Sequence, residues 1–136
     1  MKGTERVKIM LVDDSSTNNL LYESIFESEG YDVIVCDSGR TALKKLTQKE
    51  RPNIVLLDLM MPGIDGFDVL EKIKSNPDTK EIPVIILTAK VDAESESKAF
   101  ELGAVDYIIK PIGIYEITEE IRAILSGAFV RKPKFS

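Results

Sequence analysis

The 136-residue sequence predicts an α/β fold with a parallel sheet between two layers of helices. Five short apolar runs rich in β-branched residues are nearly continuous, as strands covered on both faces require. A segment of helical period follows each run. Strand and helix therefore alternate five times, a pattern typical of parallel strands joined by right-handed crossovers.

The five apolar runs are the predicted strands, and they lie at residues 9–12, 33–35, 54–57, 84–87 and 107–109. The specific prediction is a flavodoxin-like, doubly wound (βα)5 three-layer sandwich with strand order 2-1-3-4-5. In this order the first, third, fourth and fifth strands are consecutive neighbours. Side chains at the carboxyl ends of these four strands are therefore expected to converge.

The helices are predicted from apolar residues at helical spacing and from the residues that end each pattern. The five apolar sets, in chain order, are Leu21, Tyr22, Ile25 and Phe26; Ala42, Leu43 and Leu46; Phe67, Leu70 and Ile73; Ala99, Phe100 and Leu102; and Ile117, Ile121, Ile124 and Leu125. Ser38 is a predicted N-cap of the second helix. The predicted ends are Gly30, Asn76-Pro77, Gly103 and Gly127, for the first, third, fourth and fifth helices.

Composition places the chain among ordinary globular domains, with 43% hydrophobic and 30% charged residues. No apolar run approaches the ~18 residues of a membrane span, and the amino-terminal residues do not form a signal peptide. The single Cys36 cannot form an internal disulfide, so we expect a reducing, cytoplasmic location. A net charge of −5 argues against direct contact with nucleic acid.

We expect one domain over residues 6–126. The segment 127–136 differs in composition because it is basic where the domain is acidic. It is interpreted as a solvated tail or the stub of a linker, with a docking segment for a partner as the alternative.

Polar side chains stand where four predicted strands end. Asp13 and Asp14 follow the first strand, Asp58 the third, Thr88 the fourth and Lys110 the fifth. In an open parallel sheet, ligands bind beyond the carboxyl ends of the strands, near the point where strand order reverses. These side chains are therefore the candidate functional site.

This set of residues favours phosphoryl transfer onto a carboxylate. Three neighbouring carboxylates repel each other unless a cation neutralises them, and oxygen ligands without His or Cys suit Mg²⁺. The Lys110 ammonium and the Thr88 hydroxyl can stabilise phosphoryl oxygens. A central carboxylate can serve as the nucleophile and become an acyl phosphate.

Over about residues 6–126 the chain resembles the receiver domain of response regulators in two-component signalling. The resemblance is carried by four motifs in the same order and at similar separations. They are Leu11-Val12-Asp13-Asp14, Leu57-Asp58-Leu59-Met60-Met61-Pro62-Gly63-Ile64-Asp65-Gly66, Leu87-Thr88-Ala89 and Gly103-Ala104-Val105-Asp106-Tyr107-Ile108-Ile109-Lys110-Pro111.

The resemblance implies a role for each site residue. Asp58 would be the phosphoacceptor, and Mg²⁺ would be held by Asp13, Asp14, Asp58 and the Met60 backbone carbonyl. Thr88 and Lys110 would bind the phosphoryl group. Tyr107 would turn inward when Thr88 moves toward the phosphate. The Lys110–Pro111 peptide is expected to be cis, which an X–Pro bond permits.

The resemblance also implies a signalling switch rather than a turnover enzyme. The sequence contains no histidine, so we expect a histidine kinase or phosphotransfer protein to supply the phosphoryl group in trans. A downstream effector would read the surface formed by the fourth helix, fifth strand and fifth helix, which is also a candidate homodimer face. No contact with membrane or nucleic acid is expected.

Plainer interpretations exist for each residue on its own. Asp13-Asp14 could cap a helix, Asp58 could belong to a turn, Thr88 could bond locally, Lys110 could lie on the surface, and Tyr107 could be a static, half-buried aromatic.

Three rival functions fit the sequence less well. A haloacid dehalogenase-type phosphatase needs a second acid two residues after its nucleophile, where this chain has Met60, and places its nucleophile on the first strand. A flavin or nucleotide binder lacks its glycine-rich cradle here. A degenerate receiver that serves only as a scaffold is disfavoured because all five key residues are present.

Overall fold

The structure is a computed structural model that describes residues 6–47 and 51–129. Strands and helices alternate along these residues, as predicted. The elements are β1 (Lys8–Val12), α1 (Ser16–Ser28), β2 (Asp32–Cys36), α2 (Gly39–Leu46), β3 (Ile54–Leu57), α3 (Gly66–Ser75), β4 (Val84–Thr88), α4 (Ala93–Glu101), β5 (Asp106–Ile109) and α5 (Ile114–Ser126).

The strands form one parallel sheet in the order β2-β1-β3-β4-β5, which confirms the predicted topology. β1 and β3 lie side by side, with Val12 in register with Leu57. β4 and β5 are paired through Thr88 and Ile109. The residues that follow these pairs therefore emerge at one edge of the sheet.

Alternate residues of each central strand enter two hydrophobic cores, one on each face of the sheet. In β1, Met10 and Val12 pack on the face covered by α2, α3 and α4, while Ile9 and Leu11 pack on the face covered by α1 and α5. Burial on both faces explains why these strands are continuously apolar. The edge strand β2 differs, since only Cys36 of its five residues is fully buried.

The helix ends follow the predicted signals. The Ser38 side chain accepts a hydrogen bond from the Thr41 N–H and caps α2. Gly127 ends α5 in the left-handed conformation, with a φ of 81° that favours glycine.

One detail of α1 differs from the prediction. Leu21 is 55% exposed, and the buried face carries Asn19, Tyr22 and Phe26 instead. No described helix is long and apolar enough to cross a membrane. Most of the predicted tail, residues 130–136, lies outside the described residues, and the proposed boundary at residue 126 stays a prediction.

Candidate functional site

Three carboxylates meet at the carboxyl edge of the sheet. Asp13 and Asp14 follow β1, and Asp58 follows the adjacent β3, where its N–H donates to the Val12 carbonyl at 3.0 Å. One oxygen of each carboxylate lies within 4.8 Å of the others. Asp13 and Asp58 are buried, whereas Asp14 is exposed. The strand pairing thus produces the predicted convergence.

Lys110 joins this cluster from the end of β5. Its Nζ lies 2.5 Å from Asp13 Oδ2 and 3.2 Å from Asp58 Oδ2. Burial alone would lower the pKa of Lys110, but the hydrogen bond to Asp13 and the charges of Asp58 and Asp13 outweigh it and raise the pKa. Lys110 is therefore held as a cation between two buried anions, and it is not a surface lysine.

The two buried carboxylates use their oxygens in the same way. Oδ1 of Asp13 accepts from the Ser15 N–H at 2.9 Å, and Oδ1 of Asp58 accepts from the Met60 N–H at 3.0 Å. In each residue the second oxygen binds Lys110. Backbone on one side and ammonium on the other therefore fix both carboxylates before any ligand arrives.

The donor set fits a hard divalent cation. Three ionised carboxylates opposed by one ammonium leave two formal negative charges, which one divalent ion would balance. All three candidate ligands are oxygens, as Mg²⁺ and Mn²⁺ prefer, and the exposed Asp14 leaves the cluster accessible from solvent. The predicted fourth ligand, the Met60 carbonyl, stays a prediction.

Thr88 lies beside Lys110 but uses its side chain locally. Its carbonyl accepts the Lys110 N–H at 2.8 Å, which joins the ends of β4 and β5. Its Oγ1 is buried and accepts from the Lys90 N–H at 3.3 Å. That contact uses the hydroxyl as an acceptor, so the hydroxyl proton can still be donated to another group.

Tyr107 is fully buried rather than half-buried. Its hydroxyl donates to the Lys90 carbonyl at 2.7 Å, which connects β5 to the β4–α4 segment, defined as residues 89–92. Burial, and then the charge of Asp92, raises the pKa of Tyr107 to about 12. The aromatic thus lies in the inward position; its movement on phosphorylation stays a prediction.

The remaining site features agree with the sequence. The Lys110–Pro111 peptide is cis, as expected. The Met60 side chain is 55% exposed and carries no polar group. Lys90 is exposed, with its Nζ 3.8 Å from Asp92 Oδ2.

Sequence reasoning missed two residues that support the site. Asn19 is buried on α1, and its Nδ2 donates to the Asp13 carbonyl at 2.7 Å. Its signal was a polar residue on the same helical face as Tyr22 and Phe26. Gly66 begins α3 so close to the end of β3 that a Cβ would lie 2.6 Å from the Asp58 carbonyl oxygen. The sequence shows Gly66 only as the last residue of a motif. Its close approach to β3 depends on tertiary packing, which the sequence does not show.

Comparison with known proteins agrees with this geometry. Residues 9–122 match the family model described as the response regulator receiver domain. A protein named "Probable transcriptional regulator ycf27" from Galdieria sulphuraria is 42% identical over 118 residues, which cover 87% of this chain and 45% of that protein. "Response regulator PleD" from Caulobacter vibrioides is 38% identical over 117 residues, which cover 86% of this chain and 26% of PleD.

A solved structure is also similar. The Mn²⁺-bound form of response regulator Rcp1 is 31% identical, with a TM-score of 0.75 over 88% of this chain and 92% of that one. The chain spans about half the length, or less, of the curated relatives that it matches.

Proposed function

Because this chain belongs to the response regulator receiver domain family, we propose that Asp58 accepts a phosphoryl group and that the β4–α4 segment responds. The family is a signalling switch of two-component systems rather than a turnover enzyme. The observation that carries the proposal is the pairing of Lys110 with both buried carboxylates. This pairing holds a nucleophile, a neighbouring anion and a phosphate-binding cation in contact.

The proposed reaction assigns one task to each residue. A carboxylate oxygen of Asp58 attacks phosphorus while the bond to the donor's imidazole nitrogen breaks and the imidazole leaves with the electron pair. Lys110 pairs with the transferred group, and Thr88 donates its hydroxyl proton to a phosphoryl oxygen. A divalent ion on Asp13, Asp14, Asp58 and the Met60 carbonyl would neutralise charge on the phosphoryl oxygens.

The new contact from Thr88 is strong enough to shift a two-state equilibrium. Phosphorylation replaces the single charge of the Asp58 carboxylate with a phosphoryl group that carries roughly −1.5 to −2 charge. A charge-assisted hydrogen bond from Thr88 would supply about 1.5–3 kcal/mol. Lys110 would exchange its contact with Asp58 Oδ2 for one with the phosphoryl group and would therefore add less. Inverting a 1:99 equilibrium takes about 5.5 kcal/mol. Phosphorylation can therefore change the conformation, and a bound partner would complete the change.

The proposed partners follow from this chemistry. The phosphoryl donor is a histidine kinase or phosphotransfer protein, which places the reaction in the cytoplasm. The receiver of the signal is an effector that recognises α4, β5 and α5, and the same face is the proposed surface for a homodimer. The proposed division of the chain is a receiver domain over residues 6–126 followed by a tail or linker.

The test is incubation with acetyl phosphate and Mg²⁺, followed by intact mass measurement. Wild type should gain the mass of one phosphoryl group, and chelation of the metal should abolish the gain. Asp58→Ala should gain nothing, whereas Asp78→Ala, which removes an exposed carboxylate before β4, should behave like wild type. Phosphorylation of Asp58→Ala to the wild-type extent would refute Asp58 as the acceptor.

A further inference from the structure

Lys90 connects the β4–α4 segment to both residues of the predicted switch. Its N–H donates to Thr88 Oγ1 at 3.3 Å, and its carbonyl accepts the Tyr107 hydroxyl at 2.7 Å. Its ammonium lies 3.8 Å from Asp92 Oδ2. The proposed reaction gives a task to Thr88 and a movement to Tyr107, but it assigns nothing to Asp92.

Both carboxylate oxygens of Asp92 bind Ser95, in the first turn of α4. Oδ1 accepts the Ser95 N–H at 2.6 Å, which is the contact that an N-cap residue makes. Oδ2 accepts the Ser95 hydroxyl at 3.1 Å, a second bond that capping does not require. Ser95 is 5% exposed, so its hydroxyl is directed into the fold rather than toward solvent. The second bond therefore needs an explanation beyond the start of a helix.

The Ser95 hydroxyl also lies beside the Tyr107 hydroxyl. Burial raises the pKa of Tyr107 and the charge of Asp92 raises it further, whereas a hydrogen bond from Ser95 acts in the opposite direction. A serine hydroxyl has one proton, so it donates to one of these two neighbours at a time. The Ser95 N–H lowers the pKa of Asp92, and the ionised carboxylate is the stronger acceptor. Ser95 therefore binds Asp92 and lies against the buried phenol.

We propose that Ser95 is a positioning residue which, through Asp92, holds the β4–α4 segment against Tyr107 and keeps this aromatic inward before phosphorylation. The bond from the Ser95 hydroxyl to a carboxylate is charge-assisted, and such bonds are roughly twice as strong as neutral ones. The ion pair of Asp92 with Lys90 contributes less, because these side chains are 41% and 45% exposed. The Ser95–Asp92 pair is thus the stronger of the two contacts that fix Asp92.

This inference rests on the proposed function, because it names what holds the segment that responds to phosphorylation. The Ser95–Asp92 pair is nevertheless present in the unphosphorylated chain and is tested without a phosphoryl donor. With acetyl phosphate and Mg²⁺, Ser95→Ala should still gain one phosphoryl group by intact mass. Failure of the Ser95 contact and failure of Asp58 phosphorylation are therefore separate results.

The experiment compares Ser95→Ala with wild type by NMR of chains carrying ¹³C-labelled tyrosine rings. The variant loses the hydroxyl but keeps the backbone N–H that caps α4. The Tyr107 signal is identified by its absence in Tyr107→Phe. In wild type, a neutral paramagnetic cosolute should leave the Tyr107 signal sharp and broaden that of Tyr115, which is 85% exposed. In Ser95→Ala the Tyr107 signal should broaden too, and the Lys90 amide should exchange about tenfold faster.

Three further variants separate the hydroxyl from general loosening of α4. Ser95→Thr keeps a hydroxyl and should keep the Tyr107 signal sharp. Asp92→Asn keeps an oxygen for the cap but removes the charge, so it should broaden the signal and gives the same test if Ser95→Ala does not fold. Ser97→Ala removes an exposed hydroxyl of the same helix and should match wild type. A Tyr107 signal as sharp as in wild type in Ser95→Ala and Asp92→Asn, or equal broadening in Ser97→Ala, would overturn the proposal.

Discussion

The two halves of the carboxyl edge are held together by different forces. The acid half consists of Asp13, Asp58 and Lys110, which come from three strands and bind through opposite charges. The switch half consists of Thr88, Tyr107 and the β4–α4 segment, and the Thr88 and Tyr107 hydroxyls are held there by neutral hydrogen bonds to Lys90 backbone atoms. A neutral hydrogen bond contributes about 1 kcal/mol to stability. The switch half can therefore rearrange at a lower free-energy cost than the acid half.

This contrast indicates a division of labour within one site. The acid half keeps its geometry because each buried carboxylate is tied to backbone on one side and to Lys110 on the other. In the switch half, the Tyr107 hydroxyl holds β5 against the β4–α4 segment by a neutral hydrogen bond. Removing a charge from the acid half should therefore lower the free energy of unfolding more than removing a hydroxyl from the switch half.

The largest expected effect is that of Lys110→Met, which would leave two buried carboxylates without their cation. Breaking a buried ion pair costs about 3 kcal/mol. Urea denaturation should show this loss in the unfolding free energy, and Mg²⁺ should recover part of it by replacing the missing positive charge. Lys90→Met, on an exposed lysine, should cost under about 0.5 kcal/mol. Equal stability of the two variants would contradict the proposed role of charge in the acid half.

The next effect concerns Met60 and Lys90, two exposed residues that lie two positions after Asp58 and Thr88 respectively. We expect slow loss of the phosphoryl group, because Met60 has no polar atom to orient an attacking water and Lys90 adds positive charge nearby. Met60→Asn combined with Lys90→Glu should accelerate the decay about tenfold, or ~1.4 kcal/mol in activation free energy. The decay is followed by intact mass after acetyl phosphate is removed.

The control for this rate is Lys44→Glu, the same charge change at an exposed position on α2. Its decay should match wild type. An unchanged rate in the double variant would rule out both residues as determinants of the lifetime.

A smaller effect is expected from Tyr107→Phe, which removes the hydroxyl that holds the Lys90 carbonyl. The loss should be about 1 kcal/mol, and hydrogen exchange should become faster within the β4–α4 segment. Tyr115→Phe is the matched control, since Tyr115 is 85% exposed. Similar exchange in both variants would show that the switch half is held by other contacts.

The last effect is the pH dependence of the same Tyr107 contact. Folding raises the Tyr107 pKa from 10.0 to about 12, so the folded state favours the neutral phenol. The resulting stability is fully present below about pH 10 and is lost as the pH rises toward about 12. The difference in unfolding free energy between wild type and Tyr107→Phe should therefore shrink from pH 9 to pH 11. A constant difference over this range would contradict the raised pKa.

The sequence predicted those features that depend on local pattern. The topology followed from continuous apolar strands, and the acid half followed from the polar residues that end β1, β3 and β5. The helix ends at Ser38 and Gly127 were also readable, because capping depends on a few neighbouring residues.

Features that depend on packing between elements were not readable. Leu21 fits an apolar helical pattern, yet α1 is rotated so that Asn19 is buried instead. The inward position of Tyr107 depends on a carbonyl seventeen residues away. In Asp13 and Asp58, one carboxylate oxygen binds a backbone N–H and the other binds Lys110. The sequence could not predict this, since residue types alone do not specify which atom binds which partner.

Because Gly66 has no side chain, α3 can pack so closely that it limits how the Asp58 backbone can move. The first turn of α3 lies directly against the Asp58 carbonyl and the Leu59 backbone, without room for even one methyl group. The Asp58 peptide therefore cannot move toward α3, and this limit would also hold in the proposed reaction, when phosphorus is attached to the side chain. Under the proposed function, any displacement would occur on the opposite flank, away from this close contact between α3 and the end of β3.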